Sequence, residues 1–161
     1  MEPVIIREWR NGDMAAIVGA QASYYAEHFG WAEGMEALLL EVTASFLRTY
    51  QTCRNNCWIA ERSGVAVGSV FCFDAGGGTA QLRLMYAAPA VRGQGVGRRL
   101  VDSCIKFVRD AGYREIMLWT HTVLLPARAL YASVGFELRS TEVHDEFGVP
   151  VHGETWVLPL R

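Results

Sequence analysis

What this chain of 161 residues lacks narrows its class before any motif is read. Its 15 lysines and arginines face 17 acidic residues, a formal charge of -2, so there is no surplus of positive charge for a phosphate backbone. Nucleic acid is therefore not an expected partner. No run approaches the roughly 20 consecutive apolar residues of a membrane-spanning helix. The start, Met1-Glu2-Pro3-Val4-Ile5-Ile6-Arg7, lacks the basic n-region and apolar core of a secretory leader. The expected location is the cytoplasm, with no membrane partner. The 4 cysteines (Cys53, Cys57, Cys72 and Cys104) are few for a disulfide framework, and reduced thiols are the default in that compartment. Cys53 and Cys57 stand at helical spacing but have no histidine or further cysteine close in sequence to complete four ligands, so no metal is expected. Repeats, charge runs and low-complexity stretches are missing too, apart from Gly76-Gly77-Gly78.

What is present is apolar mass with alternating periodicities. At 51% hydrophobic, residues 1–161 can bury one good core and read as one domain. Val4–Trp9 alternates as a first strand, and Asn11-Gly12-Asp13 supplies a turn and a helix N-cap. Leu38, Leu39, Val42, Phe46 and Leu47 mark an amphipathic helix over Met35–Tyr50. Trp58–Ala60 and Val65–Phe73 read as strands around a turn at Arg62-Ser63-Gly64, and Ala75–Gly78 links them to a strand over Ala80–Ala87. A helix follows over Val96–Gly112, then a strand over Glu115–Thr120. A short helix behind Pro126 stops at Gly135, and strands over Phe136–Val143 and His152–Leu160 close the chain. The expected class is α/β in the α+β sense, a mixed and mostly antiparallel sheet of about seven strands flanked by about four helices.

Between the strand ending at Pro89 and the helix from Val96 lies Arg92-Gly93-Gln94-Gly95-Val96-Gly97-Arg98-Arg99. Glycines remove the side chains that would hold an anion off the backbone, and free N–H groups at a helix start favour one. Arg92, Arg98 and Arg99 add charge-assisted donors suited to a pyrophosphate or ribose phosphate. A dinucleotide fingerprint would want glycine where Arg98 stands, and no Gly-Lys-Ser/Thr follows as in a Walker A loop. The spacing that fits is Arg-x-x-Gly-x-Gly, from Arg92, Gly95 and Gly97.

In this loop the chain resembles the Gcn5-related N-acetyltransferases (GNAT), and Leu130-Tyr131-Ala132-Ser133-Val134-Gly135-Phe136 resembles their second signature. The finer resemblance is to acetyltransferase domains fused to MarR-type regulators, on Leu82-Arg83-Leu84, Ile116–Thr120, His144–Gly148 and Gly153–Trp156. The resemblance implies acetyl-CoA as acyl donor, gripped through Met85, Tyr86, Ala87, Arg92, Gly93, Gln94, Gly95, Val96, Gly97 and Arg98. It also implies that the strand before the loop and the strand after the long helix splay apart to admit the pantetheine arm. Tyr131 would meet the departing sulfur. Where the family commonly has an asparagine seven residues before its tyrosine, this chain has Leu124.

The reaction implied is direct attack of a primary amine on the thioester, catalysed by an acyl-CoA-dependent N-acyltransferase. A lysine-like ammonium has pKa ~10.4, so a base, or water leading to one, must take its proton. His121 lies just past its strand, and its two readings are that base or a solvated loop histidine. Glu27 and Glu36 are the other candidates, against ordinary surface glutamates. Arg83 alternates with Leu82 and Leu84 and either clamps a substrate carboxylate or pairs with an acid of the chain. Tyr24, Tyr25, Phe29 and Trp31 either floor an acceptor pocket, with Glu27 beside it, or are core. The acceptor expected is a small-molecule amine or amino acid. A protein or peptide acetyltransferase and a non-catalytic acetyl-CoA sensor stand as alternatives, and a homodimer through the last strands is a further expectation.

Overall fold

In the computed structural model, which describes residues 2–160, the alternating stretches become seven strands. They are β1 (Ile5–Glu8), β2 (Asn56–Arg62), β3 (Val65–Gly76), β4 (Thr79–Ala87), β5 (Glu115–His121), β6 (Glu137–His144) and β7 (Val151–Pro159). One sheet holds them in the order β1-β2-β3-β4-β5-β7-β6. Only β4 and β5 run parallel, because a helix crosses between them and a parallel partner cannot be reached by a tight turn. The helices are α1 (Asp13–Phe29), α2 (Glu33–Thr49), α3 (Val96–Asp110) and α4 (Leu125–Val134), with one 3-10 turn at Pro89–Val91. The mixed, mostly antiparallel sheet with four helices is as the sequence led one to expect.

Both faces of the sheet are covered, which is why β3 reads as an almost unbroken apolar run. Val70 and Cys72 point to the α3 side, where Leu82, Leu100, Val101, Cys104, Ile116 and Leu118 are buried with them. Phe71 points the other way, to Ile59 and to Met14, Ile17 and Phe46 of α1 and α2. Burial of a side chain such as Phe46 or Phe71 stabilises by about 1.5–3 kcal/mol. Farther along that face the packing continues through Tyr25, Trp31, Met35, Leu39 and Phe147.

Two local details sharpen the expectation. The glycine run links the strands as a tight turn: β3 extends to Gly76, which pairs with Thr79 across a two-residue turn. Gly77 and Gly78 both have positive φ (62° and 84°), as a hairpin turn matched to strand twist requires. Within Asn11-Gly12-Asp13, Gly12 takes the N-cap position and Asp13 is the first residue of α1. Arg7 on β1 takes its carboxylate in a two-pronged pair (2.9 and 3.0 Å), and the carboxylate also accepts the Arg10 N–H at 2.7 Å.

One irregularity positions everything that follows. Arg83 faces Phe71 and Tyr86 faces Ser69, so Leu84 and Met85 together oppose Val70 in a bulge. Leu84 has φ 49° there, and the Ser69 hydroxyl donates to its carbonyl at 3.4 Å. The bulge turns β4 out of line with β5.

Candidate active site

α3 is entered at its N-cap Gly95, whose φ of 76° suits glycine and which makes no side-chain cap bond. The first helical bond of the loop is Arg99 N–H to Gly95 C=O, so the N–H groups of Val96, Gly97 and Arg98 have no partner in the helix. A Cβ built on Gly93 or Gly95 meets nothing within 4 Å, so the loop is open on the side it presents. It opens into a groove of about 440 Å³ lined by Met85, Tyr86 and Ala87 of β4, by Arg92, Gly93, Gly95, Val96, Gly97 and Arg98 of the loop, and by Pro126, Ala127 and Leu130 of α4. The fit to a pyrophosphate is therefore good: free donors, a helix N-terminus and two groove-lining arginines.

Three side chains of the motif behave otherwise than expected. Gln94 is not on the groove; its amide donates to Ala90 C=O at 3.2 Å and its oxygen accepts from Arg62 at 2.6 Å. Arg99 points to β1, donating to Val4 C=O at 2.8 Å, because its place on α3 faces the strand end and not the loop mouth. Arg92 donates to Ala87 C=O at 3.1 Å and to the Tyr24 hydroxyl at 2.7 Å, with its guanidinium 4.6 Å over the Tyr24 ring. Tyr24 thus lines this groove and not the inner cavity described next.

An inner cavity of about 80 Å³ lies deeper, lined among others by Tyr131, His121, Trp31, Arg83 and Phe147. Tyr25, Met85, Leu124 and Ala127 line both spaces, so the groove and the cavity adjoin. Leu124, in the place of the family's asparagine, is an apolar wall at that junction.

Tyr131 is 4% exposed, with its ring edge-on to Phe136. Burial, then Tyr25 and Cys104, push its phenol well above the ordinary range, so it remains a protonated donor. Arg83 is half-buried and reaches over the Phe73 ring at 5.7 Å. No carboxylate pairs with it among the described residues, and burial alone depresses its pKa. An arginine in that position is a cation awaiting an anion.

His121 is the last residue of β5, not a loop residue past it, and it is 5% exposed. Trp31, Trp119 and Phe147 rings surround it at centroid distances of 5.2, 4.5 and 5.3 Å. Its pKa is lowered to about 4, first by burial and then by neighbouring His144, with Glu154 acting in the opposite sense. It is neutral at pH 7. Glu27 and Glu36 are exposed and line neither space, because the periodicity that turns Tyr25 and Met35 inward turns both glutamates to solvent.

Sequence reasoning missed the support behind the site. Glu154, 2% exposed on β7, takes Arg128 of α4 in two bonds (2.7 and 3.0 Å) and the Trp156 indole at 3.1 Å. It ties α4, which carries Tyr131, to the sheet. Phe147 enters from the link between β6 and β7, held by its carbonyl accepting Ala32 N–H at 2.7 Å. Neither partnership leaves a sequence signal, since both depend on which strands become neighbours. Among the described residues no group of three metal-binding side chains is found.

A family model described as the acetyltransferase (GNAT) family matches residues 23–136. Human N-acetyltransferase 8 is 33% identical over 113 residues, which is 66% of this chain and 50% of that protein. N-acetyltransferase 8F1 of Rattus norvegicus is 31% identical over 112 residues, 66% and 51% of the two chains. The chain thus spans about half the length of the curated relatives it matches. An acetyltransferase of the GNAT family from Staphylococcus aureus Mu50 shares the fold with TM-score 0.80 at 15% identity, over 99% of this chain and 100% of that one. An acetyltransferase from Salmonella typhimurium, solved with its cofactor acetyl-CoA, gives TM-score 0.76 at 20% identity, over 99% and 95%.

Proposed function

The chain belongs to the GNAT acetyltransferase family, and from that premise we propose that it transfers the acetyl group of acetyl-CoA to the primary amine of a small molecule or amino acid by direct attack. One observation carries the reading: the groove at the Gly95–Gly97 loop adjoins the cavity of Tyr131, His121 and Arg83, sharing four lining residues with it. Acetyl-CoA supplies an acyl carbon open to attack and a thiolate leaving group. The loop N–H groups and Arg98 hold its phosphates, and Arg92 reaches them by leaving Tyr24 or Ala87. Tyr131 donates to the sulfur as charge develops. Full proton transfer from a phenol of ordinary pKa ~10 to a thiolate whose acid has pKa ~8.5 runs uphill by roughly 2 kcal/mol, and burial of the phenol steepens that, so hydrogen bonding is its main part.

Arg83 recognises a carboxylate on the acceptor, its planar fork suiting two parallel bonds. That favours amino acids over simple amines. His121 receives the proton of the attacking amine. Within the family we place the chain near the acetyltransferase domains fused to MarR-type regulators, acting as one domain in the cytoplasm. No helix among the described residues is long and apolar enough to cross a membrane. A homodimer through the exposed edge strand β6 accompanies this reading.

The test is a calorimetric titration of acetyl-CoA into wild type and Gly95→Glu, then thiol release with free amino acids, their amides, alkylamines and a peptide N-terminus as acceptors. Binding by wild type, lost in folded Gly95→Glu, with thiol release for amino acids, is the expected result. No binding overturns the reading. Binding without release from any amine would make the chain a sensor of acetyl-CoA, and release with the peptide alone would make it a peptide acetyltransferase.

A further inference from the structure

The hydroxyl of Tyr24 has one partner and one proton to spare. Arg92 donates to it from Nη1 at 2.7 Å and lays its guanidinium 4.6 Å over the ring, so in this bond the phenol oxygen is the acceptor. A phenol also donates, and the Tyr24 O–H has no acceptor among the described residues. A hydroxyl that accepts from a cation becomes a better donor, because each bond polarises the next.

The ring that carries this hydroxyl is held from several sides. One turn farther along α1, His28 stacks on it at a centroid distance of 4.1 Å with 28° between the planes, and His28 Nδ1–H donates to Tyr24 C=O at 3.0 Å. Phe29 and Tyr86 meet it edge-on at 6.2 and 6.0 Å. Tyr24 lines the groove from α1, and Gly93, Gly95 and Arg98 line it from the loop and the start of α3. A donor on so fixed a ring gives up little freedom when it meets a ligand.

We propose that Tyr24 is a cofactor-binding residue on the second wall of the anion site: its hydroxyl keeps Arg92 aimed and gives its own proton to the pyrophosphate of acetyl-CoA. The proposal rests on acetyl-CoA binding in this groove, as read above. Backbone N–H groups at the start of α3 approach the anion from the loop, and Tyr24 approaches it from α1. The bond between Arg92 and Tyr24 joins residues 68 apart in sequence, so the anion is held by two elements that no local motif brings together.

Arg92 can serve the anion without giving up Tyr24. It uses Nη1 on that hydroxyl and Nε on Ala87 C=O at 3.1 Å, which leaves the rest of its five N–H donors free. The Ala87 bond is the one that binding exchanges. Ala87 lines the groove, and its carbonyl can take an amide N–H of the pantetheine arm once Arg92 Nε turns to a phosphate oxygen. Next to Tyr24, Tyr25 lines both the groove and the inner cavity, so a grip on α1 also steadies a wall of the acceptor space.

Calorimetric titration of acetyl-CoA into the full chain tests this without turnover. Tyr24→Phe keeps the ring against His28 and under Arg92 and removes only the hydroxyl, so its melt should match wild type. Its Kd for acetyl-CoA should rise by about tenfold, the worth of a hydrogen bond to a charged group. In an Arg92→Met background the same change should cost less, about threefold, because the hydroxyl then has no guanidinium to hold. In 31P spectra of bound CoA, the pyrophosphate resonances should differ between wild type and Tyr24→Phe, and the 3′-phosphate resonance should not. An unchanged or tighter Kd in folded Tyr24→Phe, an equal cost in the Arg92→Met background, or unmoved pyrophosphate resonances overturns the proposal alone. A higher acceptor KM with the acetyl-CoA Kd unmoved does the same and places Tyr24 with the acceptor. No binding by wild type overturns the acetyl-CoA reading and this proposal with it.

Discussion

Leu82 and Leu118 are the last residues at which β4 and β5 keep their parallel register. Past them β4 bends at the Leu84–Met85 bulge, while β5 continues to His121 against β7 alone. The strands part where Arg83 on one and Trp119 to His121 on the other reach the inner cavity. The opening is built into the sheet by the bulge, so the site needs no movement of whole strands to form.

Tyr131 lines the inner cavity with a hydroxyl that burial keeps protonated. Tyr131→Phe removes the donor and leaves the ring packing against Phe136. The expected result is a kcat lower by about 10- to 100-fold with the acetyl-CoA KM little changed, since the bond strengthens only as the sulfur gains charge. Steady-state thiol release measures it; an unchanged kcat would remove Tyr131 from the reaction.

The parts of this site that could be read beforehand are those whose chemistry is local. Glycine spacing and the helix start give away the loop, and Tyr131 with Gly135 is a short continuous block. Sequence places His121 near the gap, yet its burial and its partner depend on β7 passing between β5 and β6, which periodicity does not encode. The same is true of Arg128 with Glu154. The bond from Arg92 that draws Tyr24 to the groove spans 68 residues, a separation that no local pattern reports. Of the two readings open for Glu27, exposure favours the surface one, because its helix turns Tyr25 inward and Glu27 to solvent.

Arg83 offers a charge with no acid of the chain to meet it among the described residues. Arg83→Met keeps the length and apolar contact over Phe73 while removing the charge. For acceptors bearing a carboxylate the KM should rise by about 10- to 100-fold, corresponding to roughly 1.4–2.7 kcal/mol for a charge-assisted pair. For the matching amides it should hardly change. Equal effects on acid and amide would place the acceptor carboxylate elsewhere.

Gly34, in the first turn of α2, tests how tightly the link that carries Phe147 is seated. A Cβ there would overlap the carbonyl oxygen of Glu146, a backbone atom that cannot swing away. Gly34→Ala must therefore push the 145–148 link off α2 and strain the Ala32 to Phe147 bond. The expected cost is about 2–3 kcal/mol, a fall of several degrees in Tm for a chain of this size. Phe147 lines the inner cavity, so the acceptor KM should rise while acetyl-CoA binding is kept. A melt identical to wild type would show that the link yields freely.

The buried imidazole of His121 ties stability to pH. Unfolded, it titrates near its ordinary 6.5; folded, it titrates at about 4. Between those values the unfolded chain binds the extra proton, so stability is full above about pH 6.5 and falls as the pH drops toward 4. The shift alone would correspond to roughly 3 kcal/mol, and solvent reaching the cavity reduces this to about 1–2 kcal/mol. Carboxylates titrate in the same range, so the useful quantity is the difference between wild type and His121→Phe in urea unfolding at pH 7 and pH 4.5. Wild type should lose about 1–2 kcal/mol more than the variant over that interval. Parallel losses would mean that His121 is solvated in the folded chain, and its place as the proton acceptor of the cavity would fall with that result.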